Sequence, residues 1–179
     1  MDHRRLFRGD CGSCQGLCCA SLPFDRSEWF GFSKPADVPC PHLEPSHDCG
    51  IHRQLRASGF AGCADYDCLG AGQRVTRELF PGAIWRTSPQ LAGAMFAAFR
   101  QLKHVHELRL LLREAAALKL EPAHAERCQA LLTRLEPEPG FTAETLAQLD
   151  VPLLDEAVHA LLRSLERYVA QRRRLPLVK

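Results

Sequence analysis

The spacing of apolar residues changes near Ser88. Beyond it, Leu91, Met95, Ala98, Leu102, Val105, Leu108 and Leu112 recur at steps of three and four, the period that lines one face of an α-helix. Ser88-Pro89 supplies an N-cap followed by a proline at the first helical position, so one long amphipathic helix is expected from there toward Leu118. Leu108, Leu110 and Leu111 crowd the stripe, and one of them must leave it. Pro122 opens a second helix through Leu135, carrying Ala125, Cys128, Leu131, Leu132 and Leu135, and the EPEPG run at 136–140 ends it. Thr142 caps a short helix through Leu149. Asp150 and Pro152 start a last long one, with Leu154, Val158, Leu161, Leu165 and Tyr168 at heptad-like spacing. Two long and two shorter helices with brief connections predict an antiparallel helical bundle over residues 87–179.

Residues 1–86 follow no such period, and no run of alternating β-branched residues suggests a sheet. Leu22, Phe24, Trp29, Phe30 and Phe32 form a small apolar set expected to make a mini-core. Ser27 is placed to cap a single turn. Ile51–Ser58 reads as a short helix ended by Gly59, and Val75–Phe80 as a helical turn stopped by Pro81. What this half has instead of a periodic core is cysteine. Eight of the nine cysteines fall between Cys11 and Cys68, opening with the run CGSCQGLCC. Gly12 and Gly16 allow that run to curl so that several sulfurs face one point. The ninth, Cys128, sits in a helical pattern and reads as a small core residue.

Thiolates are soft ligands, and groups of four suit tetrahedral zinc or an iron–sulfur cube. Eight cysteines allow two such sites, or one site plus free thiols. Adjacent Cys18 and Cys19 diverge, so one of them faces a second site or bridges two metals. A single C-x2-C followed closely by a third cysteine favours an iron–sulfur cluster (4Fe-4S), while zinc stays open. His42 and His52 lie near Cys40 and Cys49 as substitutes for a sulfur. His47, in a polar loop, reads as solvated. The fold class expected is therefore mainly α: an irregular cysteine-rich metal-binding domain, 1–86, followed by the helical bundle, 87–179.

Charge narrows the partners. The net charge is +2, and residues 1–86 carry ten basic against ten acidic side chains, so no nucleic-acid partner is expected. Arg172, Arg173 and Arg174 read as a solvated helix end. No apolar h-region follows the basic N-terminus and no 18-residue apolar run occurs, so neither a signal peptide nor a membrane span is expected. A cytoplasmic location follows, where clustered cysteines are metal or redox groups more often than disulfides.

The cysteine pattern resembles a known family. CGSCQGLCC, then PCPHL, then CGIHRQLRASGFAGC and a closing Cys68 are similar to the YkgJ-like cysteine-cluster family, described as a zinc- or iron-chelating domain. A related cluster in flagellin lysine-N-methylases is associated with iron–sulfur binding. The resemblance covers residues 11–68 and implies the metal ligands Cys11, Cys14, Cys18, Cys19, Cys40, Cys49, Cys63 and Cys68. Where the family commonly has Arg-Pro before the seventh cysteine, this chain has Arg56-Ala57-Ser58-Gly59-Phe60. GCADYDCLGAGQ, GAIWR and the helical half also resemble the N-terminal region of certain bacterial pentapeptide-repeat proteins, although no such repeat follows here.

Three functions fit these readings. The first is a metal-binding module with a redox-sensing or regulatory role, coupled to the bundle through Gly70–Arg86. The second is an interaction scaffold with structural zinc, binding a protein partner through the helical half. The third is a cluster-dependent transferase like the lysine-N-methylases, with Asp65 and Asp67 as candidate bases. The chain carries no HExxH, Walker loop or nucleophile elbow, and enzymatic activity stays an open question.

Overall fold

A computed structural model describes residues 7–166 and 168. It is mainly helical, with no strand among the described residues; two isolated antiparallel bridges, Phe24 with Lys34 and Leu43 with Cys49, are its β-type pairings. Among the described residues seven α-helices occur: α1 Leu17–Ser21, α2 Ala61–Asp65, α3 Ala71–Arg74, α4 Pro89–Ala116, α5 Pro122–Leu135, α6 Ala143–Ala147 and α7 Val151–Ser164. Single 3-10 turns cover Cys11–Ser13 and His52–Gln54, and a π-turn covers Val75–Leu79. None of these helices is long and apolar enough to cross a membrane.

The chain divides into two compact units. The first is 1–103 with 142–147, and the second is 104–141 with 148–179. The dividing point thus lies inside α4, at Lys103, and not at the change of pattern near Ser88. Residues 172–174, read above as a helix end, lie outside the described residues.

In the second unit the apolar stripe does what its spacing predicts. Val105, Leu108 and Leu112 on α4, Cys128, Leu131 and Leu135 on α5, and Leu154, Val158 and Leu161 on α7 are buried, as are Leu165 and Tyr168. Helices α5 and α7 pack on each other. Leu111 is the leucine that leaves the stripe, at 41% exposure, and Ala125 is exposed as well. The Cys128 thiol is buried and donates to the Leu112 carbonyl at 3.3 Å. Caps fall where the sequence puts them: Asp150 Oδ1 accepts from Leu153 N at 3.0 Å, at the start of α7. Polar ties add to the apolar face. Arg109 and Arg113 both pair with Glu136, and His104 Nε2 lies 2.9 Å from Asp155 Oδ1.

Before α4, whose opening half with buried Met95, Phe96, Phe99 and Leu102 also belongs to it, the first unit is built from turns, short helices and side-chain clips. Thr142 caps α6 through its hydroxyl, which accepts from Thr145 N at 3.2 Å, and Gln101 Nε2 donates to Leu146 O at 2.6 Å. Phe24 stacks on Phe30 at 4.6 Å and faces Phe32 and Phe60, so Phe60 completes the aromatic cluster. Trp29 stands outside it, 48% exposed. The expected helix over Ile51–Ser58 is a single 3-10 turn followed by hydrogen-bonded turns up to Gly59. In the other direction, Cys18 and Cys19 lie on a helix. Gly16 adopts φ 62 as the N-cap of α1, which redirects the chain into the helical turn that carries both cysteines.

Candidate metal centre

All eight cysteines from Cys11 to Cys68 line one cavity of about 1140 Å³ in the first unit. Four segments bring them there: 11–19, 40–49, Cys63 and Cys68. Backbone pairing joins two of these segments: Cys40 N donates to Cys19 O at 3.0 Å. The Leu43–Cys49 bridge and the Gly50 N to His42 O bond (2.9 Å) close the next loop into a narrow hairpin. Cys63 sits on α2, and Cys68 lies three residues before the start of α3, with Ala71 N donating to Cys68 O at 3.0 Å.

Two glutamines hold the Cys11–Cys14 loop in place, and no motif announces either. Gln73 donates to Arg8 O at 2.8 Å and accepts from Asp10 N at 3.1 Å. Gln15 donates to Ala83 O at 2.6 Å and accepts from Trp85 N at 3.2 Å, while Trp85 Nε1 donates to Gln15 O at 2.9 Å. The backbone of Gly72 lies against the sulfurs. A Cβ there would come within 2.6 Å of Cys14 Sγ and 3.8 Å of Cys68 Sγ.

Crowding sets the electrostatics. Burial pushes Cys14 and Cys63 up to about 11, and neighbouring thiols add to both shifts. Cys11, Cys49 and Cys68 are raised for the same reasons. Cys18 is raised well above the usual thiol range, first by its hydrogen bond to Cys19, whose sulfur is 3.9 Å away, and then by burial. It is the hub of the set: its charge acts on Cys11, Cys14, Cys49, Cys63 and Cys68. Cys49 in turn feels Cys40, Cys18 and Cys11, so the thiols form one electrostatically connected set.

Against this repulsion, backbone amides favour the thiolates. Cys14 receives hydrogen bonds from Leu17 and Gly16, Cys68 from Gly72 and Gly70, and Cys49 from Ile51. Amide-to-sulfur bonds of this kind stabilise a ligating sulfur without neutralising it. One cation is built in. Lys34 is buried, and its Nζ donates to Val38 O at 2.8 Å, Pro35 O at 3.1 Å and Ala20 O at 3.4 Å. Burial lowers its pKa, while the nearby Cys40, Cys19 and Cys18 oppose that shift.

Three histidines also line the cavity. His42 sits in the aromatic cluster, 5.3 Å from the Phe60 ring, and His52 is exposed. His47 differs from its expected solvated state. Its ring tilts against Trp85 at 5.8 Å, and burial, with Arg86 adding to it, lowers its pKa. The two acids considered as bases have structural partners: Asp65 pairs with Arg56, and Asp67 Oδ1 accepts from Leu69 N at 2.8 Å within its own turn.

The donor set fits a soft cation in number and kind, and the amide-to-sulfur bonds fit it in support. Among the described residues the sulfurs share a cavity without any three His, Cys, Asp or Glu side chains forming a ready-made cradle for one ion.

Comparison with known proteins adds one relative. Over 143 residues the chain is 38% identical to "Uncharacterized protein YybG" of Bacillus subtilis (strain 168), covering 79% of this chain and 51% of that protein. The chain thus spans about half the length of that relative. No described protein family matches the chain, and no solved structure matches it.

Proposed function

We propose that the first unit is a metal-binding module in which Cys11, Cys14, Cys18, Cys19, Cys40, Cys49, Cys63 and Cys68 hold an iron–sulfur cluster or zinc. The observation that carries this reading is that eight cysteines spread over 58 residues all line one cavity. Half-buried thiols raised by burial and by one another gain from a multivalent cation, which deprotonates them and neutralises their repulsion. Eight thiols in one cavity supply enough ligands for two four-sulfur sites or one polynuclear centre. Lys34 would offset part of the excess negative charge. A redox-sensing or regulatory role is the form this function takes with an iron–sulfur cluster, and a structural role the form it takes with zinc. Transferase activity has less support, because Asp65 and Asp67 are engaged in local structure.

Metal and acid-labile sulfide content, measured on protein purified without oxygen together with its visible spectrum, tests the proposal. Iron with near-equal sulfide and a broad absorption band gives the cluster. Zinc at one or two per chain without colour gives the structural site. Neither metal, with all nine thiols free to react, would sink the proposal.

A further inference from the structure

Cys18 and Cys19 hold their sulfurs at the spacing of ligands on one ion. Adjacent side chains are expected to diverge, yet Cys18 Sγ and Cys19 Sγ lie 3.9 Å apart, and both residues line the cavity. Thiolates at about 2.3 Å from a tetrahedral zinc stand about 3.8 Å from each other, along an edge of the tetrahedron. A four-iron cube takes its four cysteines one to each iron, at separate corners of a larger body, so its ligands stand further apart than that edge. The observed spacing matches two thiolates on the same ion and not two corners of a cube.

The backbone fixes that spacing. Both residues sit in one short helix, α1, entered through the left-handed Gly16. Ala20 N donates to Gly16 O at 3.0 Å, Leu22 N to Cys18 O at 3.3 Å and Cys40 N to Cys19 O at 3.0 Å. Leu17, Ala20 and Ser21, the other residues of α1, are buried, which holds the turn in one orientation with its two cysteines on the cavity. Buried Lys34 donates through Nζ to Ala20 O at 3.4 Å. It sets a fixed cation beside a pair whose thiolates, so close together, would repel each other.

We propose that Cys18 and Cys19 chelate a single soft ion through both sulfurs, so that the centre contains a tetrahedral vicinal-dithiolate site. The ion is a mononuclear zinc or one iron of a two-iron cluster, which takes two cysteines at each iron. This inference rests on the metal-binding reading above and narrows it against the four-iron cube. On binding, both thiol protons pass to solvent and two metal–sulfur bonds replace the hydrogen bond between the sulfurs. Two corners of the tetrahedron are left for other thiols of the cavity.

Cadmium NMR of the full chain tests this, with cadmium as a soft probe that thiolates select. One cadmium resonance is expected to correlate with the β-protons of both Cys18 and Cys19. Cys18→Ser and Cys19→Ser should each lose that same resonance, and the double variant should lose no other. The wild-type correlation decides the point by itself, so a variant that fails to fold leaves the test intact. Correlations from Cys18 and Cys19 to different cadmium resonances, or from one of them alone, overturn the inference and leave the metal-binding reading standing. So does native protein holding a four-iron, four-sulfide cluster that either serine variant abolishes. A chain that takes up no cadmium, zinc or iron overturns both.

Discussion

The two units of this chain reach a fold by different means. The second buries a continuous apolar stripe on three helices, and its polar ties sit around that stripe. The first has helices of only four or five residues before α4, far below the length at which helices hold themselves in water. Its cysteine segments are instead fixed by glutamine clips, a buried lysine and turns that end on sulfur. An apolar stripe is stable whatever the solvent contains. On the metal-binding proposal, the cysteine segments of the first unit would gain stability from a ligand, where the second unit would not.

The sharpest break of that comparison is metal removal. Both tryptophans, Trp29 and Trp85, belong to the first unit, so tryptophan fluorescence reports that unit alone. Chelator treatment of loaded protein is expected to change this fluorescence strongly while most far-UV helical signal persists. Equal loss of both signals would show that the units do not differ in this way. Reloading has a matching pH dependence. Because folded-state thiol pKa values are raised, to about 11 for Cys14 and Cys63, these groups are protonated at neutral pH, and binding must expel their protons. Affinity therefore rises with pH, and metal uptake in weak buffer acidifies the solution.

The converse break lies in the bundle. Leu154 is fully buried on α7, and Leu154→Ala should cost about 2–5 kcal/mol, the usual range for such a cavity. Thermal unfolding followed by circular dichroism should shift down, while metal content stays at the wild-type level. Loss of metal in this variant would mean that the bundle supports the cysteine unit.

How much of each unit is legible in the sequence follows the same division. Periodicity places α5 and the starts of α4 and α7 nearly to the residue, because a stripe is a local record of a buried face, whereas α7, expected to run through Tyr168, ends at Ser164. The cysteine order picks out the one cavity, since nothing else explains eight thiols in so short a span. Periodicity fails over Ile51–Ser58, where a helical-looking segment makes one 3-10 turn because its ends are tied to the Cys49 hairpin and to Phe60. It also misses α1, whose start depends on the left-handed Gly16. Gln15, Gln73 and Lys34 act through partners distant in sequence or through backbone carbonyls, and such contacts leave no local signature. His47 read as solvated because its neighbours are polar, and only tertiary closure by Trp85 buries its ring nitrogen.

Two glycines within the first unit separate its cysteine segment from its part of α4. Gly72→Ala places a methyl group 2.6 Å from Cys14 Sγ and 3.4 Å from Cys14 Cβ, a short side chain with little freedom to yield. Destabilisation of about 1–3 kcal/mol and a loss of metal stoichiometry are expected. Gly93, on α4, meets nothing within 4 Å. Gly93→Ala should stabilise the chain by about 0.5–1 kcal/mol through helix propensity alone, with metal content unchanged. If both variants behave alike, the close approach of Gly72 to the sulfurs has no consequence.

The smallest effect distinguishes the units by pH. Burial alone would raise the Glu136 pKa, but Arg109 and Arg113 outweigh it and hold the carboxyl below its ordinary 4.5. A depressed folded-state pKa contributes stability that is present above the unfolded value and is lost as pH falls through the folded one. The carboxylate is 37% exposed, so solvent screens much of the interaction. Glu136→Gln should therefore be slightly less stable than wild type at neutral pH, with the difference vanishing in acid below the folded pKa. The cysteine unit responds in the opposite range: its raised thiols change binding as pH rises above neutrality, where Glu136 is already fully ionised. Paired thermal melts and metal titrations across pH should thus show one transition on the acid side in the helical unit and another on the alkaline side in the cysteine unit. A common pH dependence would mean that a single linked equilibrium governs both.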